Sequence, residues 1–237
     1  ITTFFAKNEK ELYKNIKKIP WEDHISLKDT FLVDTTISQS KFFNHSKYVS
    51  QKTKDAIVDQ FREKCGQRPS VNKHSPKIRI NVHVNESGFT ISMDSSGESL
   101  HKRGYRVQKG KAPINEVLAA GVIMLSGWDG SSPLKDPMCG SGTILIESAM
   151  IAKNQAPNLK RKNFSFTFWR DFDDQLLESI KKELFSAEKQ NTQKIEGGDY
   201  HFAAISASRR NLQNLNLLDQ VDLKRFNFFH QKTPHEK

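Results

Sequence analysis

The chain has 237 residues, of which 36% are hydrophobic and 27% charged, which is polar for a globular protein but excludes a disordered one. No stretch approaches the roughly 18–20 apolar residues of a membrane span, charges from Lys7 to Glu11 break any signal peptide, and Cys65 and Cys139 are too few for a disulfide framework, so a reducing, cytoplasmic compartment is expected. The formal net charge of +10 favours a polyanionic partner, and the length allows one large or two small domains.

Residues 1–30 hold aromatics and lysines with little periodicity. Phe31, Val33 and Thr35 alternate as in a strand, and Ala56, Ile57, Phe61 and Cys65 make a helical stripe ending near Gly66 and Pro69. Ile78, Ile80, Val82 and Val84 alternate with polar residues, as do Phe89, Ile91 and Met93. Asn85-Glu86-Ser87-Gly88 between them predicts a hairpin. Lys47, Lys52, Lys54 and Lys73 read as a solvated face.

Residues 101–111 carry His101, Lys102, Arg103, Arg106, Lys109 and Lys111 with no acid, and Tyr105 among them. Such a run can neutralise phosphates and stack a base, so Lys102, Arg103, Tyr105, Arg106, Lys109 and Lys111 are the RNA-contact candidates, favoured over a solvated linker. Pro113 opens a helix with Ile114, Val117, Leu118, Gly121, Met124 and Leu125 on one stripe. Leu134-Lys135 ends a strand before Asp136.

The run Asp136-Pro137-Met138-Cys139-Gly140-Ser141-Gly142-Thr143 then leads into a helix with Ile144, Leu145, Ala149 and Met150 on its apolar face. A helix N terminus reached through a glycine turn offers free N–H groups and a positive dipole end. An acid at the preceding strand end can hold a cationic or hydroxyl-bearing ligand. A dinucleotide fingerprint would place a third glycine at Leu145, and a P-loop would need a lysine after Gly142; neither fits. S-adenosylmethionine, with a positive charge, a ribose and no phosphate, fits better.

In residues 153–173 the aromatics Phe164, Phe166, Phe168 and Trp169 suggest a satellite core over a sheet edge ahead of a nucleotide-facing loop. Leu176, Leu177, Ile180 and Leu184 form a helix stripe expected in the core. Gly197-Gly198-Asp199 closes the next strand, and its carboxylate can accept both ribose hydroxyls. A helix with Ala203, Ala204, Ile205, Asn211 and Leu212 follows, then a third strand from Val221 to Phe228.

Several stretches carry a family resemblance. They are Lys54-Asp55-Ala56-Ile57-Val58-Asp59, Gly66-Gln67-Arg68-Pro69-Ser70-Val71, Ser96-Gly97-Glu98-Ser99-Leu100-His101-Lys102-Arg103-Gly104-Tyr105-Arg106, Ser126-Gly127-Trp128, the Asp136–Glu147 run, Asn154-Gln155-Ala156-Pro157 and Phe164-Ser165-Phe166. In this order, from about Phe31 to about Phe229, the chain resembles the THUMP-containing RNA methyltransferases that make N2-methylguanosine in large-subunit ribosomal RNA, a group long labelled adenine-N6 DNA methylase.

The resemblance implies an α/β chain. Residues 1–30 would be the remnant of an N-terminal ferredoxin-like part, 31–107 a small THUMP-like RNA-binding domain, and 108–237 the first part of a Rossmann-like class I methyltransferase domain. The cofactor would be S-adenosylmethionine, held by Asp136, Pro137, Cys139, Gly140, Ser141, Gly142, Thr143, Asp199 and Asn227; Asn227 stands where many relatives place an Asp toward the adenine. His201 replaces a second acid after Asp199. The partner would be ribosomal RNA, with no metal and no membrane. No Asn-Pro-Pro or Asp-Pro-Pro amine clamp occurs, so catalytic residues are expected beyond residue 237. A DNA adenine-N6 methyltransferase, and an RNA-binding protein with a non-catalytic methyltransferase domain, stay open.

Overall fold

A computed structural model describes residues 1–108, 112–159, 161, 163–190 and 192–230. The chain divides into two units, Ile1–Glu98 with Lys162–Asp174, and Ser99–Arg161 with Gln175–Lys237. Among the described residues no helix is long and apolar enough to cross a membrane.

The first unit is a five-stranded sheet under two helices. In chain order it comprises β1 (Thr2–Phe4), α1 (Glu9–Lys17), β2 (Thr30–Ile37), α2 (Ser46–Cys65), β3 (Ser70–Val71), β4 (Ile78–Asn85) and β5 (Gly88–Met93), and the sheet order is β1-β5-β4-β2-β3. Every second residue of β4 is buried, as the alternation demands, and Val82 pairs with Ile91 and Val84 with Phe89 across the expected hairpin. Gly66 caps α2 in the left-handed conformation at φ 66°.

Residues 1–30 are no separate remnant. β1 pairs antiparallel with β5, and Leu12, Ile16, Trp21 and Ile25 lie in the same core as β2 and β4. Buried Gln60 of α2 explains the joint: its Nε2 donates to Lys17 O and Ile19 O at 2.7 Å, and its Oε1 accepts from Trp21 N at 3.2 Å. The helical spacing of Leu12 and Ile16 is too short a signal to reveal this. The aromatic stretch also belongs here and not with the residues that flank it in sequence. Trp169 packs on the first unit's core, Phe166 N donates to Ser95 O at 3.1 Å, and Phe164 stacks on Phe166 at 5.0 Å. The stretch meets β4 in the middle of the sheet and not the expected sheet edge, and Phe168 stays exposed.

The second unit holds α3 (Glu116–Leu125), β6 (Leu134–Asp136), α4 (Thr143–Ala152), α5 (Asp174–Ser186), β7 (Ile195–Asp199), α6 (Phe202–Asn214) and β8 (Val221–Arg225). Its three strands are parallel in the order β6-β7-β8. Leu145, Ile146, Ala149 and Met150 of α4 are buried with Ile195, Val221, Ile205 and Leu212. β8 stops at Arg225, short of the expected Phe228.

Two helices depart from their expected faces. α3 buries Glu116, Ala119 and Ile123, while Val117, Leu118, Met124 and Leu125 are exposed. α5 buries nothing; Leu176, Ile180 and Leu184 are 37–56% exposed. Spacing says which residues share a face, not whether another element covers that face.

Candidate functional site

Parallel pairing places the carboxyl ends of β6, β7 and β8 along one edge, where open α/β sheets bind ligands. Asp136 ends β6 and Asp199 ends β7. Between Asp136 and α4 the loop turns through two left-handed glycines, Gly140 at φ 54° and Gly142 at φ 83°, a conformation that a Cβ disfavours. Cys139 N donates to Gly198 O and Gly142 N to Cys139 O, each at 2.8 Å, so the loop is tied to the neighbouring strand.

Asp199 is central to that tie. One of its oxygens accepts from Gly140 N at 3.0 Å and the other from His201 N at 2.9 Å. Asp136 accepts from Met138 N at 3.1 Å. Burial pushes the Asp136 carboxyl above its ordinary value; the Met138 N–H opposes this and the Asp199 charge adds to it. Two neighbouring carboxylates at strand ends favour a cationic or hydroxyl-rich ligand over a phosphate. A Cβ at Gly140 would meet nothing within 4 Å, so the space before it is open. Gly142 is the N-cap of α4, which has no side-chain cap.

The other expected contacts divide. Pro137 is half-buried beside the loop. Cys139 is buried, its thiol pushed up to about 11 chiefly by burial, with Sγ 3.7 Å from Ser208 Oγ, so it is a packed wall and no nucleophile. Ser141 and Thr143 are buried: Ser141 O accepts from Asn211 at 3.0 Å, and Thr143 Oγ1 accepts from Arg106 at 3.1 Å. They build the loop from within. Asn227 follows β8 at the same edge, and its Oδ1 accepts from Phe229 N at 3.1 Å.

Sequence reasoning located α6 but missed that it holds the loop. Ser208, Asn211 and Asn214 recur every third residue of α6, a polar stripe where an apolar one is usual. Ser208 Oγ donates to Gly140 O at 2.8 Å, and a Cβ at Gly142 would come within 2.9 Å of that oxygen. Asn211 is fully buried and saturated. Its Oδ1 accepts from Val107 N and Gln108 N at 3.0 and 3.1 Å, and its Nδ2 donates to Gln108 O and Ser141 O at 3.0 Å. Asn214 Nδ2 donates to Gly104 O and Tyr105 O at 3.2 Å.

The basic run is corrected by the same geometry. Arg103 Nε donates to Glu147 Oε1 at 2.8 Å, with side-chain exposures of 9% and 3%, and the Tyr105 hydroxyl donates to the same oxygen at 3.1 Å. Arg106 donates to Ile114 O at 2.9 Å and pairs with buried Glu116 at 3.4 Å. Burial raises Tyr105 above its ordinary value, with the Glu147 charge second, and burial also raises Glu147 against the pull of Arg103. Arg103, Tyr105 and Arg106 therefore brace α3, α4 and α6, with the arginine side chains only 9% and 14% exposed; Glu147 lies far along the chain and Ile114 and Glu116 closer, and no run of basic residues reveals them. Lys102 is exposed, and Lys109 and Lys111 lie outside the described residues.

Comparison with known proteins agrees with this geometry. Residues 6–94 match the THUMP domain family and residues 103–235 the RMKL-like methyltransferase domain family. The ribosomal RNA large subunit methyltransferase K/L of Desulfotalea psychrophila is 38% identical over all of this chain and 34% of its own length. The crystal structure of the methyltransferase SMU.472 in complex with SAH superposes with a TM-score of 0.87 at 30% identity, covering 99% of this chain and 62% of that one. A Listeria monocytogenes structure described as a predicted N6-adenine-specific DNA methylase gives 0.88 at 29% identity, covering 99% and 61%. The chain thus spans about a third of that curated relative and three-fifths of these solved chains.

Proposed function

This chain belongs to the RMKL-like methyltransferase family, and we propose that it is the cofactor-holding part of an S-adenosylmethionine-dependent RNA methyltransferase acting on guanine N2 of large-subunit ribosomal RNA. The observation that carries the reading is the pair Asp136 and Asp199 on adjacent parallel strand ends, beside a Gly140 whose Cβ would meet nothing within 4 Å and a helix N terminus with no side-chain cap. Asp199 would accept the ribose hydroxyls, Gly140 would leave room for the methionine moiety, and the α4 terminus and Asp136 would order the ligand. Asn227 would accept from the adenine amino group. Bound there, the cofactor would supply an electrophilic methyl group for direct in-line transfer, and the chain's contribution is positioning and exclusion of water. The name of the Desulfotalea psychrophila relative supports ribosomal RNA as substrate. The description of the Listeria monocytogenes neighbour keeps adenine N6 of DNA as the second reading.

Calorimetry with S-adenosylhomocysteine tests the site. Asp199→Ala is expected to weaken binding by about 1.5–3 kcal/mol through lost charge-assisted hydrogen bonds. Unchanged affinity would move the pocket elsewhere. Methyl transfer by the full-length protein, followed by nucleoside analysis, tests the substrate: N2-methylguanosine in large-subunit RNA supports the proposal, methylated adenine in DNA supports the second reading, and cofactor binding without transfer to either refutes both.

A further inference from the structure

From Met138 to Gly142 the backbone amides of the loop between β6 and α4 find partners inside the protein, with one exception. Met138 N donates to Asp136, Cys139 N to Gly198 O, Gly140 N to Asp199 Oδ2 and Gly142 N to Cys139 O. Ser141 N has no acceptor among the described residues, although Ser141 is buried at 7% exposure. A buried amide without a partner is rare and calls for a reason.

Ser208 sets the direction of that amide. It is fully buried on α6, where a hydroxyl is costly unless it is hydrogen-bonded. Its Oγ donates to Gly140 O at 2.8 Å. Gly140 O and Ser141 N belong to one trans peptide, in which the N–H points opposite to the C=O. Holding Gly140 O against α6 therefore turns Ser141 N–H away from α6. Gly140, at φ 54° and without a Cβ, leaves this plane free to rotate about its own bonds, so the Ser208 bond is what fixes it.

We propose that Ser208 is a positioning residue for the cofactor: through the Gly140–Ser141 peptide it aims the Ser141 N–H at the carboxylate of the ligand's methionine moiety. The inference rests on the reading of this edge as the S-adenosylmethionine site and adds the group that selects the amino-acid end of the ligand. The carboxylate is the one anionic acceptor that S-adenosylmethionine carries. Asp136 and Asp199 at the strand ends repel it and draw the ammonium and the ribose hydroxyls. The carboxylate is left to the N–H donors at the start of α4, where a charge-assisted bond to a backbone amide is strong. Ser208 itself, at 0% exposure, touches no ligand and acts through the loop.

The test is calorimetry of the 237-residue chain and its S208A variant with S-adenosylhomocysteine and with decarboxylated S-adenosylhomocysteine, which keeps the ammonium and the ribose. S208A should weaken S-adenosylhomocysteine about 10-fold, the size of one misdirected charge-assisted hydrogen bond, and leave the decarboxylated analogue within about 2-fold. A second measurement needs no variant. In proton–nitrogen spectra of the wild type, the Ser141 amide should move downfield with S-adenosylhomocysteine and not with the analogue. If S208A weakens both ligands equally, or neither, the positioning role is overturned and the cofactor reading stands. If S208A does not fold, the spectra decide, and a Ser141 amide that responds alike to both ligands overturns the proposal. No binding of either ligand by the wild type overturns the cofactor reading and this inference with it.

Discussion

Arg103→Met isolates the buried brace of the second unit. Methionine keeps much of the aliphatic bulk and removes the guanidinium, leaving Glu147, 3% exposed at its side chain, with the Tyr105 hydroxyl as its remaining partner at 3.1 Å. Breaking a buried ion pair on one side costs about 3–5 kcal/mol, because the stranded charge keeps its desolvation penalty. The pH dependence has a definite sign. Burial holds the folded-state Glu147 carboxyl above its unfolded value even with Arg103 present. The folded chain therefore binds more protons between those two values, and this group's contribution to stability falls as pH rises through that window. Losing Arg103 widens the window upward, so the deficit of R103M should be largest above it and shrink as pH falls and Glu147 becomes protonated in the folded state. Adding Glu147→Gln should recover part of the loss at neutral pH. Urea unfolding followed by circular dichroism from about pH 5 to 8 measures each term. An R103M variant within about 1 kcal/mol of wild type at neutral pH, yet with a flattened RNA salt slope, would refute the inward reading of the run.

Asn211→Ala should destabilise the second unit by about 2–4 kcal/mol, since it strands the amides of Val107 and Gln108 and the carbonyl of Ser141, and S-adenosylhomocysteine affinity should fall with it; thermal melting and calorimetry read the two effects, and Asn211→Asp, which keeps the acceptor, should lie between. Gly142→Ala should cost about 1–3 kcal/mol from its left-handed backbone and the approach of its Cβ to Ser208 Oγ. Adding Ser208→Gly should recover only part of this, because the backbone strain at φ 83° remains; full recovery in a melting experiment would show that strain is absent.

The strands of the first unit and the glycine loop were legible because their signals are local. Alternation along Ile78–Val84 and along Phe89–Met93 fixes which residues face inward, and Gly140 and Gly142 announce left-handed turns that few other residues adopt. The family motifs identified the THUMP and methyltransferase families that the chain matches. Where the signal was short or one-sided, the reading slipped. Residues 1–30 joined the first unit through Gln60, and the α3 and α5 stripes found no cover.

By itself, then, the sequence determined the local conformations and the residue types at the cradle, since backbone preference and the spacing of apolar side chains are properties of a short stretch of chain. Only the tertiary structure decided what each charge does. Arg103 and Arg106 look like Lys47 and Lys73 along the chain, yet the first two meet Glu147 of α4 and Glu116 of α3, while neither lysine makes an ion pair among the described residues. A charge braces a core or stays in solvent according to whether a counter-charge from elsewhere in the chain arrives beside it and removes both from water.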